Sequence, residues 1–170
     1  IYPLAWMISL FYPHFIDSLT EDKYVLEEGD VELRSVSMSP FQACLALEQL
    51  KKINEFNGRR KKWAARLTNH LKDMPDVKTQ FRNENDEHIG LYYSMAVRNP
   101  EELRKFLFLN GVDTKRGTMR ACSTFEFFQN SSKCSIAEEI GPCLVELPCY
   151  PSLCAQDIDY QVDLIRKFYE

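Results

Sequence analysis

The sequence holds little that could run chemistry unaided. It has only three histidines, His14, His70 and His88. They are scattered, and no acidic or cysteine partner for a dyad is obvious in the sequence. None of the six cysteines, Cys44, Cys122, Cys134, Cys143, Cys149 and Cys154, forms a C-x-x-C pair, and no histidine lies near the last five. A zinc site is therefore unsupported. Excess positive charge is also missing. The net charge of −4 gives no electrostatic case for nucleic acid or an anionic membrane. A long uninterrupted apolar run is absent too. The opening "IYPLAWMISLFYPHFI" is broken by Pro3 and Pro13 and has no basic leader. It falls short of the roughly 20 residues a membrane helix requires. Such a segment is expected to pack on protein, including protein outside this chain. No internal repeat is visible. The first residue is Ile1 rather than Met, as in a processed chain or a piece of something longer.

What is present suits an ordinary globular domain. The 170 residues, 45% apolar and 27% charged, can bury a core. Basic residues cluster at Lys51, Lys52, Arg59, Arg60, Lys61, Lys62 and Arg66. With Glu48 and Glu55 among them, they read as a solvated helix face. An even cysteine count also fits a secreted, disulfide-bonded domain. The chain's length, and the place of Cys44 in an apolar helical run, favour reduced thiols and a cytoplasmic protein. Asn130-Ser131-Ser132 matches a glycosylation triplet that is common by chance.

Residues 1–34 read as an apolar lead-in and 35–170 as a separate domain. At "SVSMSPFQACLALEQL" Ser39 is placed as a helix N-cap, Pro40 at the first helical position and Gln42 as its capping-box partner. The apolar spacing predicts one helix over 40–73, about 50 Å long, with a possible kink at Gly58. Its first turns are apolar nearly all round; later turns carry one apolar stripe. "VKTQFR" and "IGLYYSMAV" read as strands, the second central. "NPEELRKFLFLNG" is a helix capped by Asn99 and closed by Asn110-Gly111. "VDTKRG" is a short strand, 117–142 loop-like with a short helix, and "PCLVELPCYPSL" a strand. The terminal helix has Ile158, Val162, Ile165 and Phe168 at helical spacing. The expected class is α+β, with helices packed on a small, mostly antiparallel sheet.

Three of these stretches, in order, resemble one family. "MSPFQACLALEQLKKINEFNGRRKKWAARL" is similar to the start of the C-terminal domain in DegT/DnrJ sugar aminotransferases, carrying Met38, Gln42, Ala43, Leu45, Leu47, Leu50, Arg59, Arg60 and Ala65. "NPEELRKFLFLNGVDTKRGTMRACSTFEFF" is similar to that family's helix and substrate loop. "VELPCYPSLCAQDIDYQVDLI" is similar to its closing strand and terminal helix. The resemblance covers about residues 34–170.

It implies the small C-terminal domain of a fold-type-I, pyridoxal-phosphate-dependent enzyme. That enzyme would be a homodimer transferring an amino group to a keto-sugar nucleotide. The first turns of the long helix would pack on the large cofactor domain and the dimer partner. Family members place an Asn on the partner subunit's cofactor phosphate where this chain has Ser35. The stretch bordering the substrate pocket corresponds to Arg116, Met119 and Arg120, where an arginine can pair with a phosphate or carboxylate through a bidentate contact. The Schiff-base lysine, its acidic partner and the phosphate cradle belong to the missing N-terminal domain. Lys115, in the same stretch, looks exposed, and Cys122 reads as a packing residue. The chain is thus expected to be catalytically incomplete and to bind no pyridoxal phosphate by itself. A stand-alone, non-catalytic α+β interaction module of the same fold is the alternative.

Overall fold

A computed structural model describes residues 37–80, 88–116, 123 and 134–170. The expected boundary at residues 34 and 35 lies outside them. The chain divides into two compact units, Ile1–Leu50 and Lys51–Glu170.

The described part of the first unit is helix α1 (Pro40–Leu50) and its cap. The capping box forms as the sequence predicts. The Ser39 N–H donates to Gln42 Oε1 at 2.9 Å, and the Gln42 N–H to Ser39 Oγ at 3.3 Å. No residue of α1 is buried; Phe41 is 74% exposed and Leu47 59%.

The single helix expected over 40–73 is two. Lys51-Lys52 forms a turn, and helix α2 spans Ile53–Leu71. Neither Gly, Pro nor a capping side chain marks Lys51-Lys52 locally. The break falls instead where one compact unit gives way to the next. Gly58 lies inside α2, and a Cβ there would meet nothing within 4 Å. Glycine costs an exposed helix backbone entropy without a packing return. Gly58→Ala is therefore expected to raise the unfolding free energy by about 0.5–1 kcal/mol, read from urea midpoints.

In the second unit, Trp63, Ala64, Leu67 and Leu71 form the buried stripe of α2 at helical spacing. Strand β1 (Val77–Thr79) follows, then β2 (Tyr93–Val97), helix α3 (Pro100–Leu109) and β3 (Lys115–Arg116). Helix α4 (Ser135–Ile140) leads through a 3₁₀ turn at Gly141–Cys143 into β4 (Leu144–Leu147), and helix α5 (Ala155–Tyr169) closes the chain. The sheet order is β1-β2-β4-β3, with every pairing antiparallel. The expected central strand is central. Registers Tyr93↔Leu147 and Met95↔Val145 set four apolar side chains on one face. Leu103 and Leu107 of α3 and Ile158, Val162 and Ile165 of α5 join them and the α2 stripe in one core.

The two ends of α3 differ in how they are closed. Helix α3 closes in a Schellman motif: Val112 N–H donates to Leu107 O at 2.9 Å and Gly111 N–H to Phe108 O at 3.0 Å. Gly111 takes φ 79°, which costs glycine nothing. Asn99 stands at the N-cap of α3, but its side chain makes no cap hydrogen bond and its backbone is left-handed at φ 57°. Asparagine tolerates that conformation, so it serves here as a bend rather than a donor's partner.

Helices α2 and α5 are joined by a two-pronged ion pair. Arg66 Nε donates to Asp159 Oδ1 at 2.7 Å and Nη2 to Oδ2 at 2.8 Å. The hydrogen bond from Arg66 holds the Asp159 carboxyl below the usual range. A carboxyl with a lowered folded pKa stabilises above its unfolded pKa, and that gain disappears as pH falls through the folded value. Asp159→Asn is therefore expected to flatten the acid limb of the stability–pH curve and to leave its alkaline limb unmoved.

Candidate functional site

Alternation along the strands divides the polar residues of the sheet between its two sides. Arg116 pairs in register with Val145, and Lys115 with Glu146. Val145 belongs to the core row, so Arg116 lies toward the helices. There its Nε is 3.4 Å from Glu101 Oε1, on the first turn of α3. Glu101 also takes Arg104 Nη1 at 3.1 Å. Arg116 is thus engaged by a carboxylate at the protein surface.

Lys115 lies on the opposite side. Ser94, Glu146 and Lys115 form one cross-strand row over β2, β4 and β3. Lys115 Nζ donates to the Tyr92 hydroxyl at 3.3 Å and lies 5.0 Å from the Tyr92 ring centre. Tyr93 next door is fully buried in the core, with its hydroxyl 3.1 Å from Thr68 Oγ1. Glu146 is only 7% exposed; Tyr150 is 43% exposed. The Lys115 pKa is raised, first by the hydrogen bond to Tyr92 and also by Tyr150 and Glu146. The ammonium is held charged.

That geometry bears on the cofactor. A lysine that forms a Schiff base must be available as the neutral amine, usually through desolvation or a neighbouring cation. Lys115 has the opposite surroundings, and every described lysine is exposed. The described residues do not fit a pyridoxal phosphate site. Among them no group of three or more His, Cys, Asp or Glu is placed to hold a metal ion. No described helix is long and apolar enough to cross a membrane. Cys44, Cys134, Cys143, Cys149 and Cys154 are unbridged.

Of the site residues expected from sequence, only Arg116 is described; Ser35, Met119 and Arg120, with Cys122, lie outside. Sequence reasoning reads Tyr92 and Tyr93 as core and edge packing and passes over Glu146. The alternation of "YYSMAV" signals that Tyr92 and Tyr93 face opposite ways. Nothing in the sequence announces that Glu146 stands beside Lys115, because that depends on the register of β4.

A four-stranded antiparallel sheet with helices on one face is the architecture of the C-terminal portion of fold-type-I aminotransferases. Similar solved structures carry it. One is a DegT DnrJ EryC1 StrS aminotransferase from Brucella abortus, at 21% identity and TM-score 0.70, covering 82% of this chain and 40% of that one. DesV of S. venezuelae, solved with a ketimine intermediate, matches at 18% identity and TM-score 0.72, over 85% of this chain and 41% of its own. Helicobacter pylori PseC, an aminotransferase involved in pseudoaminic acid biosynthesis, matches at 18% and 0.67, over 83% and 42%. The chain belongs to the DegT/DnrJ/EryC1/StrS aminotransferase family, which it matches over residues 14–166. It spans about two-fifths of the length of these solved relatives. No curated protein matches it.

Proposed function

We propose that the chain is the C-terminal portion of a pyridoxal-phosphate-dependent aminotransferase that aminates a keto-sugar nucleotide, in cell-surface polysaccharide or amino-sugar biosynthesis. The observation that carries this reading is the family match over 14–166 on a chain two-fifths the length of its relatives. The whole enzyme is a cytoplasmic homodimer, and its N-terminal domain supplies the lysine and the phosphate cradle. Residues 1–34 pack on that domain, and 35–170 form the small domain. The exposed apolar side chains of α1 fit such a covered position. Ser35 contacts the cofactor phosphate of the partner subunit, and Arg116, Met119 and Arg120 border the sugar-nucleotide pocket. When bound, the cofactor supplies the electron sink for amino transfer. This chain contributes binding and positioning.

The intact mass of the protein from its natural source tests the reading. A mass at least about twice that of this chain fits a missing cofactor domain. That longer protein is then expected to carry the cofactor's visible absorbance and to aminate keto-sugar nucleotides. The purified chain alone is expected to give neither an absorbance band nor a borohydride-fixed adduct with pyridoxal phosphate. A mass near 19.9 kDa favours the second reading, a non-catalytic interaction module, which the exposure of every described lysine supports.

A further inference from the structure

We propose that Lys115, with the phenol of Tyr92, is an oxyanion-binding group on the face of the sheet away from α2, α3 and α5. The site is read from geometry; the identity of its ligand rests on the function proposed above.

Strand β3 presents two cations, one to each side. The guanidinium of Arg116 is already engaged by Glu101, a carboxylate it shares with Arg104. The ammonium of Lys115 has a different setting. It carries three donors, and the Tyr92 hydroxyl takes one of them at 3.3 Å. That hydroxyl, while accepting from Lys115, keeps its own proton to donate. Glu146, cross-strand from Lys115 and buried, adds a smaller pull toward the charged ammonium. The same carboxylate weakens the pull on an incoming anion, so the site is one anchor of a larger ligand and weak by itself. On the proposed function two oxyanions are available: a phosphate of the sugar nucleotide and a carboxylate of the amino donor.

The first test titrates the isotope-labelled chain with inorganic phosphate, against sodium chloride at equal ionic strength. The Lys115 ammonium and the Tyr92 ring resonances are expected to shift together with phosphate only. Lys115→Gln is expected to abolish the shift. Lys78→Gln, which removes an exposed lysine from β1, is expected to leave it. An equal response to chloride, a response centred on Arg116, or none would overturn the proposal.

In the complete enzyme, Lys115→Gln is expected to raise one KM by about tenfold or more with kcat kept, the loss of one charge-assisted contact. A rise for the sugar nucleotide assigns the phosphate; a rise for the amino donor assigns the carboxylate. Neither changing overturns the proposal, while amino transfer itself leaves the proposed function standing. Conversely, an enzyme that transfers no amino group to keto-sugar nucleotides refutes that function. The phosphate response of the chain would still establish the anion site.

Discussion

Replacement of Tyr93 by alanine is expected to lower the unfolding free energy by about 3–5 kcal/mol, the range for truncating a buried aromatic ring. Tyr93 is fully buried, opposite Leu147 at the middle of the sheet. Its ring is in the core that α2, α3 and α5 build over β2 and β4. Removing it opens a cavity that β4 and the packed helices fill poorly. Its hydroxyl makes a separate, smaller contribution. It lies 3.1 Å from Thr68 Oγ1, which itself donates to Ala64 O at 3.0 Å within α2. Tyr93→Phe is therefore expected to cost only about 1 kcal/mol. Urea unfolding of the two variants measures both terms. Equal losses would mean that the hydroxyl, not the ring, holds the strand to the helix.

The second large effect concerns the two sides of β4. Val145 is fully buried, and its neighbour Leu144 is half-buried on the other face. Val145→Asp forces a carboxyl into an apolar core, and the cross-strand Arg116 guanidinium is already engaged by Glu101. The expected cost is about 4 kcal/mol or more. Against a total stability of about 5–15 kcal/mol, much or all of the fold is lost at neutral pH. Leu144→Asp keeps contact with water and is expected to leave the chain folded. Circular dichroism and urea midpoints on the pair check this. Similar losses at both positions would contradict the one-sided core that the register describes.

The α+β class, the antiparallel sheet, the central place of β2 and the helices α3 and α5 were legible because each has a local cause. Val, Tyr and Met alternate in "YYSMAV". Gly111 turns left-handed after α3, and Ile158, Val162 and Ile165 repeat at helical spacing. The Ser39–Gln42 capping box was legible for the same reason, since both partners lie within one turn. Family membership was readable from three stretches in the right order.

The break at Lys51-Lys52 was not legible. Leu-Lys-Lys-Ile is good helix sequence, and the interruption comes at the joint between two compact units. The candidate site divides in the same way. The sequence by itself determined which residues border the loop after α3, and that a lysine and an arginine stand side by side there. Only the tertiary structure decided that they part. Strand pairing sets Arg116 over Val145, toward the carboxylate of Glu101, and Lys115 beside Glu146 and Tyr92. The physical reason is that a strand's alternation tells which neighbours face apart, while the partner strand's register tells what each one meets.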